Sequence, residues 1–176
     1  MIKITSGKYR SRNIETPEVG TLPTKNRVRE AMMSAVTSEI PSARVLDLFA
    51  GSGALGIEAL SRGASFCVFV DASMDACRII RDNLKTLREE NAAVLNMSYE
   101  AAIEQLKEPF DLVFLDPPYA MKDSYQRSID LLRAHGLLKD ECAIVLEYEG
   151  ELPLQVEGFS FHRDYTYGKT KVLLLR

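Results

Sequence analysis

The sequence predicts an α/β fold built on a seven-stranded, mostly parallel sheet with helices on both faces. Three observations predict it. From about residue 45 onward, short apolar runs alternate with amphipathic helical segments, as in consecutive βαβ units. The runs are almost continuously apolar, which is typical of parallel strands that are buried on both faces. The last two runs are joined at Gly168-Lys169, which predicts a hairpin and therefore an antiparallel strand at the end of the chain.

The composition fits a single globular domain and excludes several classes of protein. Of the 176 residues, 46% are hydrophobic and 27% are charged, so neither a disordered nor a membrane-embedded chain is indicated. No apolar run approaches the roughly 20 residues that span a bilayer, and no apolar signal-peptide core begins the sequence. We therefore expect a monomeric, cytoplasmic protein without a membrane partner. The cysteines lack metal-ligand spacing, so we expect no metal site and three buried, reduced thiols at Cys67, Cys77 and Cys142.

The first 40 residues differ from the rest, and we predict an extension over 1–40 followed by the main domain over 41–176. Two short strands surround Gly7 and suggest a hairpin. Thr24 is the expected cap of a helix. In order, the extension contains a strand at 2–5, a strand at about 13–16, a loop at 17–23 and a helix at about 25–38.

The main domain continues as alternating strands and helices. The predicted strands lie at 45–49, 66–70, 93–97, 110–115, 142–147, about 158–166 and 170–175. The predicted helices include one that ends at Gly63 and others at about 73–90, 99–107 and 122–134.

Positive charge is concentrated at the amino terminus. Residues 1–29 carry seven basic and two acidic side chains, a net charge of +5, although the whole chain has a net charge of −3. The remaining residues therefore carry −8. This asymmetry indicates a polyanion such as RNA as the partner, although a solvated charged surface explains it as well. The candidate RNA contacts are Lys8, Arg10, Arg12, Lys25 and Arg29.

A glycine-rich loop follows the first strand of the main domain. It begins at Gly51 and reads Gly-Ser-Gly-Ala-Leu-Gly, which satisfies G-x-G-x-x-G between a strand and a helix. Gly51 and Gly53 let the backbone turn tightly beside a ligand, and the next helix presents free N–H groups. Asp71 ends the following strand, where a carboxylate can bind both ribose hydroxyls. The loop and Asp71 indicate an adenosine cofactor, either a dinucleotide or S-adenosylmethionine.

Asp47 favours the second of these cofactors. It lies inside a strand that dinucleotide-binding folds usually keep wholly apolar. Its carboxylate can either hold the glycine loop through backbone N–H groups or face a cationic part of a ligand. S-adenosylmethionine carries an ammonium and a sulfonium, which suit the second arrangement. Both interpretations of Asp47 are open from the sequence.

A polar tetrapeptide, Asp116-Pro117-Pro118-Tyr119, follows the fourth strand of the main domain. In open α/β sheets this is the edge at which ligands bind. Ionised Asp116 and the Pro117 carbonyl are neighbouring acceptors, and the two prolines fix the backbone around them. Such a pair suits an exocyclic NH₂ group, whose lone pair it would direct at an electrophilic methyl group. Tyr119 supplies a flat face on which a base can stack.

These motifs resemble those of a known family. DLFAGSG, from Asp47 to Gly53, and the tetrapeptide at 116–119 look like the cofactor loop and catalytic motif of class I S-adenosylmethionine-dependent amino-methyltransferases. Two longer stretches, LDLFAGSGALGIEALSRGA and SGKYRSRNIETPEVGTLPTKNRVREAM, are more specific. Together they are similar to the RsmD type of 16S ribosomal RNA guanine-N2 methyltransferase, and the resemblance covers essentially the whole chain.

The resemblance implies a Rossmann-like fold, S-adenosylmethionine as cofactor, and methyl transfer to the N2 amine of a guanine in 16S ribosomal RNA. The RNA would be either naked or part of a partly assembled small ribosomal subunit. The implied catalytic residues are Asp116, Pro117, Pro118 and Tyr119. The implied cofactor contacts are Asp47, Phe49, Gly51, Gly53, Asp71, Ser98 and Tyr99.

The sequence departs from the family at two positions. Leu22 stands where the family commonly has Arg before Pro-Thr, so one expected contact is missing. Ser98 stands where the family often has the Asp that holds the adenine amine, and a hydroxyl accepts that hydrogen bond more weakly.

Three other functions compete with this one. An amino-methyltransferase acting on another RNA or on DNA shares the catalytic tetrapeptide, but a DNA enzyme would need an additional target-recognition domain. An NAD(P)-dependent oxidoreductase would need a substrate domain or a catalytic Tyr-Lys or His group, which the sequence does not offer. A non-catalytic RNA-binding module would need neither the glycine loop nor Asp116. The methyltransferase therefore explains more of the sequence than its rivals do.

Overall fold

The computed structural model describes residues 1–17 and 23–176, with the secondary structure alone for residues 23 and 24. A single turn of 3₁₀ helix covers Tyr119–Met121. The strands are β1 (Ile2–Lys3), β2 (Asn13–Ile14), β3 (Arg44–Asp47), β4 (Phe66–Asp71), β5 (Ala92–Asn96), β6 (Phe110–Leu115), β7 (Leu138–Glu149), β8 (His162–Tyr167) and β9 (Thr170–Leu175). The α-helices are α1 (Pro23–Ala35), α2 (Ala54–Ser61), α3 (Met74–Leu87), α4 (Tyr99–Gln105) and α5 (Ser124–Ala134).

Seven strands form one sheet in the order β5-β4-β3-β6-β7-β9-β8. The strands from β3 to β7 are mutually parallel, and β9 lies antiparallel between β7 and β8. The predicted fold class is therefore confirmed. The chain builds outward from β3 to β5 and then crosses back to β6, on the other side of β3. This reversal opens a crevice at the carboxyl ends of β3 and β6, where open α/β sheets bind their ligands.

Two hydrophobic clusters cover the two faces of this sheet. Neighbouring residues of a strand point to opposite faces, so Val45 belongs to one cluster and Leu46 to the other. The three cysteines are buried and free, which confirms the prediction of reduced thiols. Within the parts of the chain that the structure describes, no helix combines the length and apolar character needed to cross a membrane.

Several predicted boundaries are wrong, among them the starts of α1, β7 and β8. α1 begins at Pro23, so Thr24 lies inside the helix and is not its cap; proline is favoured at the first helical position. β7 begins at Leu138 and includes three exposed polar residues, which hid its first part from the apolar pattern. Glu141 has a φ of 61°, beside a shift in the pairing of β6 with β7. β8 begins at His162 rather than at about 158.

The amino-terminal extension docks on the main domain through a buried carboxylate. Glu58 of α2 is 2% exposed. It accepts hydrogen bonds from the N–H groups of Thr5 and Ser6 at 3.1 Å and from the Thr5 hydroxyl at 2.6 Å. Ile4 and Ile14 also enter the cluster that covers one face of the sheet. The β1–β2 hairpin is confirmed, whereas Leu22 and most of the predicted loop at 17–23 lie outside the described residues.

Candidate active site

A cavity of about 590 Å³ opens at the carboxyl ends of the parallel strands. Its lining combines the glycine loop, the ends of β4, β6 and β7, the start of α4, and residues of the extension such as Asn26. The volume lies within the usual range for small-molecule sites. The sequence-predicted residues that line it are Lys25, Arg29, Phe49, Gly51, Asp71, Ser98, Tyr99, Asp116, Pro117, Pro118 and Tyr119.

The glycines of the loop have different roles. Gly51 lines the cavity. Gly53 lies outside the lining and has a φ of 79°, a left-handed conformation at the start of α2, where a side chain would be strained. A Cβ on Gly56 would lie 2.3 Å from the Phe69 ring, so this glycine allows α2 to pack closely on β4. The loop therefore turns at Gly53 and presents its backbone to the cavity at Gly51.

Asp71 is held in place by the loop that it faces. Its two carboxylate oxygens accept hydrogen bonds from the N–H of Gly51 at 2.9 Å and from the N–H of Ser73 at 2.8 Å. Each carboxylate oxygen has a second lone pair. Asp71 can therefore accept further hydrogen bonds from hydroxyls inside the cavity while it holds the loop.

Asp47 does not line the cavity, and this corrects one of its two interpretations. It is 1% exposed, and its carboxylate accepts a hydrogen bond from the N–H of Gly56 at 3.0 Å. Burial raises the pKa of Asp47 to about 7, and the charge of Asp71 adds to the effect. Asp47 thus ties the start of α2 to β3, and a direct contact with a ligand does not fit its buried position.

An aromatic pair forms one wall of the cavity. The Phe49 and Tyr99 rings lie 5.2 Å apart and are tilted by 45°. Ser98 caps α4, because its hydroxyl oxygen accepts a hydrogen bond from the N–H of Ala101 at 3.2 Å. The Ser98 hydroxyl keeps its hydrogen as a donor and has one further lone pair. The wall therefore offers aromatic ring faces beside the Ser98 hydroxyl.

The tetrapeptide presents two acceptors to the same cavity. Asp116 is exposed and lines the cavity, where desolvation and the charge of Asp47 raise its pKa to about 6. Among the described residues, none donates a hydrogen bond to the Pro117 carbonyl, whereas the Pro118 carbonyl accepts one from Met121. Tyr119 is 62% exposed, and its hydroxyl donates to Glu149 at 3.2 Å. Its ring face thus remains available at the mouth of the cavity.

Glu147 is an acid in the cavity, close to Asp116, that the sequence analysis missed. It is half-buried and lies on β7, beside the end of β6. Desolvation, together with the charge of Asp116, raises the pKa of Glu147 to about 7. The signal was present in the sequence, since an acid ends the predicted strand at 142–147. Its importance depended on β7 lying next to β6.

Two of the predicted RNA contacts lie in the cavity instead of on the outer surface. Lys25 is exposed and faces Asp116 and Glu147, whose pKa values its charge lowers. Arg29 is 8% exposed, donates a hydrogen bond to the Lys3 carbonyl at 3.1 Å, and has a pKa lowered by desolvation. The expectation of a solvent-facing phosphate contact therefore needs correction for Arg29, because its position is fixed inside the protein by the extension.

The other three predicted RNA contacts also lie on the extension, but outside the cavity. Lys8 forms an ion pair with Glu89 at 2.7 Å. Arg12 donates a hydrogen bond to the Thr86 carbonyl at 3.1 Å. Arg10 is exposed. Arg10 and the exposed part of Arg12 thus present the more accessible positive charge, and their contact with RNA stays a prediction.

Comparisons with known proteins agree with this architecture. The family model described as Conserved hypothetical protein 95 matches residues 2–176. A solved Escherichia coli chain described as a candidate methyltransferase, yhhF, has a TM-score of 0.87 and 33% identity, with coverage of 99% of this chain and 96% of that one. The Thermus thermophilus 16S rRNA N2 G1207 methyltransferase, solved with AdoMet and guanosine, has a TM-score of 0.73 over 90% of this chain and 44% of that one. At 22% identity it is similar in fold alone.

The sheet order, the antiparallel last strand and the cavity at the strand ends define a class I methyltransferase. Ribosomal RNA small subunit methyltransferase D of Escherichia coli K12 is 37% identical over 171 residues, which cover 96% of this chain and 86% of that protein. The chain belongs to this family of ribosomal RNA methyltransferases.

Proposed function

We propose that this protein transfers a methyl group from S-adenosylmethionine to the N2 amine of a guanine in 16S ribosomal RNA. The observation that carries the proposal is the shared cavity. It brings the acceptor pair of Asp116 and Pro117 together with the glycine loop and Asp71. The family membership supports the same reaction, since the Escherichia coli relative is named for the small ribosomal subunit.

The residues around the cavity fit S-adenosylmethionine. The tilted Phe49–Tyr99 pair provides apolar surface for an adenine ring, and Asp71 provides acceptors for ribose hydroxyls. The side-chain oxygen of Asn26 is buried and has no hydrogen-bond partner among the described residues. This oxygen can accept a hydrogen bond from a ligand, for which the cofactor ammonium is suitable. When bound, the cofactor supplies an electrophilic methyl group on a sulfonium.

Asp116 and Pro117 would orient the nucleophile. An aromatic amine is a poor nucleophile because its lone pair is delocalised into the ring. Hydrogen bonds from its two hydrogens to the Asp116 carboxylate and the Pro117 carbonyl would favour a pyramidal nitrogen with its lone pair directed at the methyl group. The same acceptors stabilise the positive charge that grows on the nitrogen. Asp116 can then hold the released proton, because its raised pKa of about 6 makes it a better base than an ordinary aspartate.

The extension would serve in RNA binding, with residues 1–40 as the basic arm and residues 41–176 as the catalytic domain. Arg10 and Arg12 supply its accessible charge, while Lys25 and Arg29 place α1 against the cavity. Tyr119 at the cavity mouth is placed to stack on the target base. Small ribosomal subunits at an intermediate stage of assembly are the substrate that we expect, since the rest of the chain is acidic and contacts with ribosomal proteins would add to those of the basic arm.

A transfer assay with purified components tests the proposal. The protein is incubated with methyl-labelled S-adenosylmethionine and with naked 16S RNA, assembly intermediates or complete small subunits, and the RNA is digested to nucleosides. We expect label in N2-methylguanosine. Label in an adenine or cytosine nucleoside would overturn the assignment, and so would calorimetry that shows binding of NAD but not of S-adenosylmethionine.

A further inference from the structure

Asp116 and Glu147 occupy matching positions on neighbouring strands. The last paired residues of β6 and β7 before them are Leu115 and Leu146, in parallel register. Glu147, the next residue of β7, therefore lies beside Asp116, the first residue after β6, on the same face of the sheet. Neighbouring strands are about 4.8 Å apart, and both side chains line the cavity. The two carboxylates thus face the same cavity from neighbouring positions.

The backbone of Glu147 is held firmly, while its carboxylate is left for a ligand. The Tyr125 hydroxyl donates a hydrogen bond to the Glu147 carbonyl at 2.5 Å. Within residues 1–17 and 25–176, no side-chain or backbone group forms a hydrogen bond with the Glu147 carboxylate. The carboxylate therefore remains available to a hydrogen-bond donor that arrives with the substrate.

The electrostatics of the pair also favour a ligand that donates hydrogen bonds. The charge of Asp116 raises the pKa of Glu147 in addition to desolvation, and Lys25 offsets only part of this effect. A donor placed between the two carboxylates would relieve their repulsion. An acceptor placed there would add to it. The pair therefore discriminates between bases by the donors and acceptors on their edges.

Asp116 alone cannot distinguish guanine from other bases, because every exocyclic amine offers the same N–H donors. Guanine differs in the ring nitrogen next to that amine. Its N1 carries a hydrogen, so N1–H and the N2 amine form a continuous row of donors, whereas N1 of adenine is an acceptor beside the N6 amine. A second carboxylate next to the amine-binding one matches the donor row of guanine and repels the N1 lone pair of adenine.

We infer that Glu147 is a specificity-determining residue that accepts the hydrogen bond from N1–H of the target guanine while Asp116 holds the N2 amine. This inference rests on the proposed function and goes further, because it assigns the recognition of the base to a residue outside the tetrapeptide. It also gives Lys25 a role, since its charge balances the two carboxylates when both are ionised.

The test uses RNA in which the methylated guanine is replaced by 2-aminopurine. This base keeps the 2-amine but has an unprotonated N1, so it presents an acceptor where guanine presents a donor. At pH 8, where Glu147 is mainly ionised, we expect the wild-type protein to methylate guanine at least 100-fold faster under single-turnover conditions. Glu147→Gln should reduce this preference at least tenfold, because an amide can donate to the N1 of 2-aminopurine. The missing O6 of 2-aminopurine affects both proteins equally and cancels in the comparison.

Glu157→Gln is the matched control, since Glu157 is an exposed glutamate outside the cavity. This variant should prefer guanine over 2-aminopurine as strongly as the wild-type protein does. An unchanged preference in Glu147→Gln would overturn the inference while leaving the proposed function intact. A wild-type protein that methylates both bases within threefold would overturn it as well, without depending on the folding of any variant. If the wild-type protein produced no N2-methylguanosine at all, the proposed function and the inference would fail together.

Discussion

Asp71 supports the loop and, in the proposed complex, the cofactor ribose. We expect Asp71→Ala to weaken S-adenosylmethionine binding by about 1–3 kcal/mol, roughly 5- to 150-fold, because it removes charged hydrogen bonds to the ligand and to the N–H groups of Gly51 and Ser73. Calorimetry measures the change. Asp82→Ala, a change of an exposed aspartate on α3, should bind normally. An unaltered dissociation constant in Asp71→Ala would remove the ribose assignment.

Asp116 should affect the chemical step more than binding of the cofactor. Its contact with the amine strengthens as positive charge develops on the nitrogen, so the interaction belongs mainly to the transition state. We expect Asp116→Asn to bind S-adenosylmethionine within about threefold of the wild-type affinity and to lose at least 100-fold in kcat. Single-turnover methyl transfer measures this loss. Turnover within a few-fold of the wild-type rate would show that neither the charge nor the basicity of Asp116 contributes to the reaction.

Asp47 makes the stability of the fold depend on pH. Its pKa is raised by burial from 3.8 to about 7, so the folded state binds this proton more tightly than the unfolded state. The stabilising contribution is therefore largest below about pH 4 and is lost as the pH rises towards 7. We expect Asp47→Asn to gain stability relative to the wild-type protein over this interval, by at least about 1 kcal/mol, or roughly 2–4 °C in Tm.

Thermal unfolding from pH 3 to pH 8 provides the measurement for Asp47, with Asp111→Asn as a control of opposite sign. Desolvation raises the pKa of Asp111, but the hydrogen bonds from the Arg44 N–H and Lys139 outweigh this effect and lower the pKa below its usual value. Asp111→Asn should therefore lose stability relative to the wild-type protein as the pH rises through the range in which an unfolded aspartate ionises. Parallel pH profiles for Asp47→Asn and the wild-type protein would contradict the account of Asp47.

The amino-terminal extension is the element on which RNA affinity should depend. If Arg10 and Arg12 contact phosphates, a variant without these two charges releases fewer counterions from the RNA when it binds. We expect Arg10→Ala combined with Arg12→Ala to weaken RNA binding several-fold and to make the salt dependence of log K less steep by roughly one to two. Cofactor affinity should not change. A titration of RNA binding against salt concentration measures both effects.

A charge-matched pair of substitutions controls for the loss of net charge. Lys107 and Arg133 are exposed; Lys107 follows α4 and Arg133 lies in the last turn of α5, at the edge of the sheet opposite the cavity. Their replacement by alanine should leave the salt dependence as it is. Equal slopes for the two double variants and the wild-type protein would place RNA recognition outside the extension.

Across the whole molecule, the sequence determines the sheet and most of the cavity through local patterns. Alternating apolar strands and helices predict the sheet, and the edge at the strand ends predicts that Gly51, Asp71 and Asp116 meet. The remaining features depend on contacts between distant segments. Arg29 is buried because the Lys3 carbonyl accepts its hydrogen bond, and Asp47 is enclosed by α2. The order of the strands also determines the role of Glu147, which becomes part of the site only because β7 lies next to β6 in the sheet.

The central claim is methyl transfer to guanine N2 in 16S ribosomal RNA, and mass mapping of that RNA from cells with and without this protein tests it most directly. Cells without the protein, and cells that carry only Asp116→Asn, should lack one N2-methylguanosine that is present in the wild-type RNA, and the wild-type protein should restore it. An identical set of modified nucleosides in all of these cells, or the loss of a modification on a base other than guanine, would contradict the account.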